Sequence, residues 1–174
     1  MEDILDIIVS RRSVKKYKDT PVEFELIDKV VTAGMYAPSG MNKQSAIILA
    51  VTNKQMRDKL SSMCAKCRGV ENFDPFYGAP VALVVLADKN VFTHVYDGSV
   101  VMENMLLEAH SLGLGACWIH WAKEMFESSE GKEILKNLGI EGEYEGVGTC
   151  ILGYSDMNEF KPIDRKDHYV YYIK

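Results

Sequence analysis

The most extended apolar pattern in the chain covers residues 96–121, YDGSVVMENMLLEAHSLGLGACWIHW. Projected at 100° per residue, Val101, Met105, Ala109 and Leu112 share one face, with Met102, Leu106 and Gly113 beside them. Glu103, Asn104, Glu108, His110 and Ser111 occupy the opposite arc. That arc also carries Val100, Leu107 and Leu114 at intervals of seven. A surface helix keeps its outer face polar, so a helix that is apolar nearly all round is covered on most sides. Either a sheet covers one side and a partner subunit the other, or the helix lies in the core of a monomer. Asp97 predicts its N-cap, and Gly113 with Gly115 its stop. The β-prone segment 116–120 follows at once, so a glycine turn feeds a strand end that can face a ligand.

Shorter patterns flank this run. A helix over 3–9 places Ile4, Ile7 and Ile8 on one face. Thr20-Pro21-Val22-Glu23 reads as a capping box with proline at the first helical position. The helix it opens buries Ile27, Val30, Val31 and Gly34, and it ends before Pro38, which disfavours helical geometry at Ala37. A strand follows over 46–51. Asn53 then caps a helix carrying Met56, Leu60, Met63, Cys64 and Cys67 at helical spacing. Residues 68–78, with Phe73, Phe76 and Tyr77, read as a lid over a site or as a packed loop. The continuous apolar run 81–87 predicts a central buried strand. Ser128 or Ser129 caps a helix with Ile134, Leu135 and Leu138, closed by Gly139. Residues 141–145 read as an acidic loop, 147–152 as a strand and 169–173 as a β-prone tail. Helices and strands intermix without repeats or a linker, which predicts an α/β or α+β domain around a small sheet.

Length adds that 174 residues suit a single domain, 1–174, with a real core. A net charge of −5 argues against a nucleic-acid footprint. No apolar run reaches membrane-spanning length, and MEDILDIIVSRRS is acidic before it is apolar, the reverse of a signal peptide. A cytoplasmic protein is therefore expected. Cys64, Cys67, Cys117 and Cys150 suit reduced thiols. Cys64-Ala-Lys-Cys67 lies late in a predicted helix and lacks a second ligand pair, so packing, not zinc, is its expected role.

Two stretches carry candidate chemistry. Arg11, Arg12, Lys15 and Lys16 put four cations within six residues beside Ser13, which suits either a phosphate grip or a solvated charged run. The loop 37–44, APSGMNKQ, offers hydroxyl and amide groups that both donate and accept. It can grip a polyol and a heterocycle edge, or serve as a turn. The chain has no G-x-G-x-x-G, Walker loop, H-E-x-x-H or G-x-S-x-G. His94, His110, His120 and His168 are scattered. Donors without a protein nucleophile fit an enzyme whose cofactor carries the chemistry.

RRSVKKY at 11–17, APSGMNKQ at 37–44, DGSVVMENMLLEA at 97–109, GLGACWIH at 113–120, GY at 153–154 and KPIDRK at 161–166 occur in this order. Together they resemble the nitroreductase family of FMN-dependent NAD(P)H oxidoreductases, over nearly the whole chain. The resemblance implies an α+β nitroreductase-like fold with a small mixed or antiparallel sheet flanked by helices. It also implies a homodimer built on a long central interface helix, with the C-terminal tail embracing the partner. Arg11, Arg12, Ser13 and Lys15 would hold FMN. Pro38, Ser39, Gly40, Asn42 and Gln44 would approach it from the other protomer. Trp118, Ile119 and His120 would face the ring, and Lys161 and Arg165 would close on the phosphate. FMN would carry the chemistry by ping-pong transfer, with NADH or NADPH as donor and nitroaromatics or quinones as acceptors. His120 would contribute its main chain, pack beside the ring, or donate a proton. A flavin-binding or flavin-processing relative without nitroreduction, and a non-enzymatic dimeric binding module, are the alternatives. Three positions depart from the family pattern: Gly40 where many members have serine, Ser45 where many have proline, and Asp164 where proline often precedes the arginine.

Overall fold

The structure is a computed structural model, and it describes residues 3–70, 72–158, 160 and 163–174. In chain order the elements are α1 (Ile4–Ser10), α2 (Phe24–Met35), β1 (Ala46–Val51), α3 (Lys54–Arg68), β2 (Val81–Asp88), α4 (His94–Ser111), β3 (Gly115–Ile119), α5 (Ala122–Glu127), α6 (Ser129–Asn137) and β4 (Tyr144–Gly153). The strands form one antiparallel sheet in the order β1-β2-β4-β3. This is the expected α+β architecture.

Helices cover both faces of the sheet, which explains why β2 is apolar without interruption. Val81, Leu83 and Val85 pack with Ile27 and Val30 of α2 and with Met102 and Met105 of α4. Ala82, Val84 and Leu86 pack with Leu60 and Met63 of α3, Phe126 of α5 and Ile134 of α6. Alternation along a strand thus feeds two cores at once. Among the described residues, no helix is long and apolar enough to cross a membrane.

α4 settles part of the question posed by its all-round apolar pattern. Val101, Met102, Met105, Leu106 and Ala109 are buried against the sheet and α2. The chain leaves the outer side open, with Tyr96 71% and Val100 36% exposed, and Phe92 just before the helix 92% exposed. The helix ends as the glycines predict. Gly113 takes φ 75, its N–H donates to the His110 carbonyl, and the Leu114 N–H donates to the Ala109 carbonyl. This is the paired bonding of a Schellman stop, which favours glycine at the left-handed position.

Several boundaries differ from the sequence reading. Asp97 is not the N-cap of α4: Thr93 holds that place, and Asp97 lies buried in the first turn. The box at Thr20 does not open α2, which begins at Phe24 with Glu23 as N-cap. The Glu23 carboxylate instead accepts from the Tyr154 hydroxyl at 2.5 Å. α5 was not foreseen, because Ala122–Glu127 is too short to show a period. β4 starts at Tyr144, inside the stretch read as an acidic loop. Residues 169–173 form no strand within the chain and are exposed.

Candidate functional site

The site begins at β3, an edge strand of the sheet. The segment 11–17 lies along that edge as a strap. The Val14 N–H donates to the Ala116 carbonyl at 3.0 Å, and Ser13 forms a parallel bridge with Ala116. Val14 is 3% exposed because Gly115 lacks a side chain, since a Cβ there would sit 2.8 Å from Val14 Cγ2. Residues 154–157 clamp the other side. The Lys18 N–H donates to the Tyr154 carbonyl, the Asp156 N–H donates to the Lys16 carbonyl, and Lys16 pairs with Asp156 at 2.5 Å. The buried Tyr17 hydroxyl donates to the Val14 carbonyl at 2.8 Å, and burial pushes its pKa up.

Extended alternation does the rest. With Val14 turned inward, Ser13 and Lys15 are exposed on the opposite side. They border a pocket of about 260 Å³ together with Trp118, Ile119, His120 and Trp121. Arg11 and Arg12 line an adjoining pocket of about 210 Å³ with His110, Gly113 and Ser155. His110 Nε2 lies 2.7 Å from the Ser10 hydroxyl. Burial pushes the Cys117 thiol up, opposed by its hydrogen bond with Ser13 and the charges of Lys15 and Arg11. The strap therefore carries positive charge directly above β3.

At the far end of β3 the backbone turns sharply, and Trp121 takes φ 76. The His120 ring stands edge-on to Trp121, 5.8 Å between centroids. The Trp118 indole packs over Gly148 of β4, where a Cβ would come 2.4 Å from its Nε1.

The loop 37–44 lies elsewhere. Pro38, Ser39 and Gln44 line a separate pocket of about 310 Å³ between α2, β1 and α4, bordered by Asp97. Met41, Asn42 and Gln44 all adopt positive φ. The buried Asp97 carboxylate pins the loop, accepting from the Gly40 N–H at 2.9 Å, the Ser45 hydroxyl at 2.6 Å and the Thr93 hydroxyl at 3.2 Å. Burial raises its pKa, but the bonds from Ser45, Gly40 and Thr93 outweigh this and hold it below the ordinary carboxylate value. Two of the departures noted in the sequence follow from this arrangement. Ser45 is a ligand of Asp97, and a Cβ on Gly40 would meet Thr93 Oγ1 at 2.3 Å.

Arg165 is exposed next to Asp164, and Lys161 lies outside the described residues. Arg68, Pro75, Tyr77, Cys64 and Cys117 also border the pocket beside His120: the first three belong to the stretch 68–78 that reads as a lid over a site or a packed loop, while the sequence reading gave the two cysteines no site role. The signal for Arg68 was its place at the end of a helix that leads into an aromatic loop. That loop is fixed by Asp74, which accepts from Arg57, Ser61 and the N–H groups of Phe76 and Gly78.

All four cysteines are free thiols, and among the described residues no group of three or more His, Cys, Asp or Glu side chains could hold a metal. Burial pushes Cys64 and Cys150 up to about 12. Both are 0% exposed, so a thiol reagent added to the folded protein at neutral pH will leave them unmodified, and will label them only after denaturation. Rapid labelling of Cys64 in the native state would contradict this geometry.

The comparisons with known proteins agree with this architecture. A sequence profile of the nitroreductase family matches residues 8–154. A protein of Methanothermobacter thermautotrophicus described as an NADH dehydrogenase/NAD(P)H nitroreductase is 38% identical over 120 residues, covering 67% of this chain and 60% of that protein. A protein of the same description from Archaeoglobus fulgidus is 31% identical over 175 residues, covering 97% of this chain and 91% of that protein. The crystal structure of a nitroreductase with bound FMN from Bacteroides fragilis superposes with a TM-score of 0.88 at 24% identity, covering all of both chains, and speaks for the fold. On the profile match and the near full-length Archaeoglobus relative, the chain belongs to the nitroreductase family.

Proposed function

We propose that this chain is an FMN-dependent NAD(P)H oxidoreductase, a single nitroreductase-like domain that works as a homodimer in a ping-pong cycle. The observation that carries this reading is the strap, which is docked on β3 through Val14 and presents Ser13 and Lys15 beside residues 117–120 and Arg11 beside residues 113–116. Arginine forks and a neighbouring hydroxyl suit a phosphate, and a lysine on the next outward position suits the electron-rich edge of a heterocycle. Bound FMN would accept hydride from NADH or NADPH and pass electrons to a nitroaromatic or a quinone. The protein's part is to hold and orient. Arg11 and Arg12 grip the phosphate, with Arg165 and Lys161 closing over it. Ser13 and Lys15 address the chain and ring edge, and Trp118, Ile119 and His120 present the floor. His120 contributes chiefly its main chain, with the imidazole held against Trp121.

The partner's Pro38, Ser39, Gly40, Asn42 and Gln44 complete the site in this reading. Two features support it: that loop lines a different pocket from the strap, and the chain leaves apolar surface uncovered on α1, α4 and the tail. Ile4, Leu5 and Val9 of α1 are exposed, as are Tyr171 and Tyr172. Four free thiols suit a reducing cytoplasm.

The visible spectrum of the purified protein is the direct test. A yellow protein that oxidises NAD(P)H when a nitroaromatic or quinone is added supports the reading. A protein that takes up no FMN on titration overturns it, and a yellow protein inert to NAD(P)H assigns it to flavin binding alone. Arg11→Ala will weaken FMN binding by about 1.5–3 kcal/mol, roughly ten- to a hundredfold, the worth of a charge-assisted hydrogen bond. Unchanged affinity by fluorescence titration would place Arg11 in solvent.

A further inference from the structure

We propose that Arg68 makes the pocket between the strap, the end of β3 and the 72–80 loop selective for aromatic acceptors bearing an anionic group such as a carboxylate. The inference rests on the flavin reading of that site and adds a substrate class to it.

The pocket has one sign of charge. Lys15 and Arg68 border it, and among the described residues no Asp or Glu does. Tyr77, Trp118 and Trp121 supply aromatic lining. A ring fits such walls by stacking, and a fixed cation at the rim rewards a ring that carries negative charge.

Arg68 is placed for this. It is the last residue of α3, and Gly69 ends the helix in a left-handed conformation. Its guanidinium carbon lies 5.2 Å from the centre of the Phe73 ring. Stacking of this kind holds the guanidinium plane and leaves its edge donors for a carboxylate fork. Among the described residues those donors make no hydrogen bond. Arg57, eleven positions earlier on the same helix, shows the contrast: its donors go to Asp74, Asp58 and the Ala79 carbonyl. Lys16 on the strap is likewise paired, with Asp156. The loop facing Arg68 is held by the Asp74 bonds, and Tyr77 sits with its ring centre 5.9 Å from Lys15 Nζ. The cation therefore belongs to a fixed wall of the pocket.

The composition supplies the assay. The chain has two tryptophans, and both border this pocket, so all tryptophan emission reports on it. Benzoate and benzamide are titrated into the purified protein, and 4-nitrobenzoate and 4-nitrobenzyl alcohol are compared as acceptors of the FMN-loaded enzyme. Wild type will prefer the anion in both assays. Arg68→Gln will cut the anion-to-neutral ratio by about tenfold to a hundredfold in dissociation constant and in kcat/KM, and Arg68→Lys will restore part of it. A ratio within twofold of wild type in Arg68→Gln overturns the proposal. So does a raised KM for NADPH or NADH with the acceptor ratio intact, because Arg68 would then serve the nucleotide's phosphates. Loss of flavin from Arg68→Gln also overturns it, by assigning the residue to the cofactor. If the wild-type protein carries no flavin, the oxidoreductase reading fails, while the benzoate and benzamide titrations still decide the role of Arg68.

Discussion

Replacing Arg57 with methionine will destabilise the protein by about 3 kcal/mol and release the 72–79 loop. The Arg57 side chain is 9% exposed, and its Nη2 lies 2.5 Å from Asp74 Oδ2. Removing one member of a buried pair typically costs about 3–5 kcal/mol, because the remaining charge is left without its partner. The lower end applies here because the Asp74 side chain is 37% exposed and recovers some hydration. Denaturant unfolding gives the stability, and hydrogen exchange at Phe76 and Gly78 gives the loop. Asp74→Asn added to Arg57→Met will recover part of the loss, since it removes the stranded charge. Loss below 1 kcal/mol, or unchanged protection of the two amides, would show that the pair does not organise the loop.

The same carboxylate sets a pH dependence. Burial pushes Asp74 up, but the bonds from Arg57, Ser61, Gly78 and Phe76 outweigh this and keep it below 3.8, its ordinary value. Its contribution is therefore complete above that value and is lost as the pH falls through the lower folded value. Wild-type protein will hold the loop closed through mildly acidic pH and release it only as the pH falls towards that lowered value. Arg57→Met will shift that opening to higher pH.

If the chain pairs as proposed, Val100→Asp will disperse the homodimer and strip its flavin in one step. Val100 lies on the outer side of α4, one turn after Tyr96, and is left 36% exposed among the described residues. In a dimer packed on this face the new carboxylate is buried unpaired, at a cost of about 3–5 kcal/mol, or roughly two to nearly four decades in dissociation constant. Light scattering will then give the mass of one chain, 19.6 kDa, at micromolar protein. Flavin leaves with the partner because the loop 37–44 completes the other protomer's site in this reading. A variant that stays dimeric places the interface elsewhere. A monomeric variant that keeps its flavin assigns the whole site to one chain.

The parts of the structure that follow short local rules were legible in the sequence. β1 matches the predicted bounds, Asn53 caps α3 by accepting from the Met56 N–H, and Gly113 ends α4. The misplaced boundaries share a cause. Asp97 and Glu23 resemble local caps, yet each spends its carboxylate on distant donors, Gly40 and Ser45 in one case and Tyr154 in the other. Local pattern carries no information on such bonds. The strap was legible as a cationic run, but its fixed alternation comes from Val14 meeting Gly115, about a hundred residues away. Arg68 and Tyr77 were legible only as parts of a stretch read as a lid or a packed loop, because a helix end and an irregular loop become a wall only when Arg57 and Asp74 meet.

An edge strand invites pairing with any extended chain, and proteins guard against this by covering the edge. On β3 the cover is the strap, and its seat is the single side chain of Val14. The residues proposed to hold the cofactor therefore also shield the sheet from self-association. Lifting the strap, for instance by Val14→Asp, exposes Ala116 and its neighbours as a template for aggregation at the same moment that it scatters Arg11, Ser13 and Lys15. In this chain, cover of the sheet edge and the proposed hold on the cofactor share the same attachment of the strap, the bond from Val14 to Ala116 together with the clamp of residues 154–157.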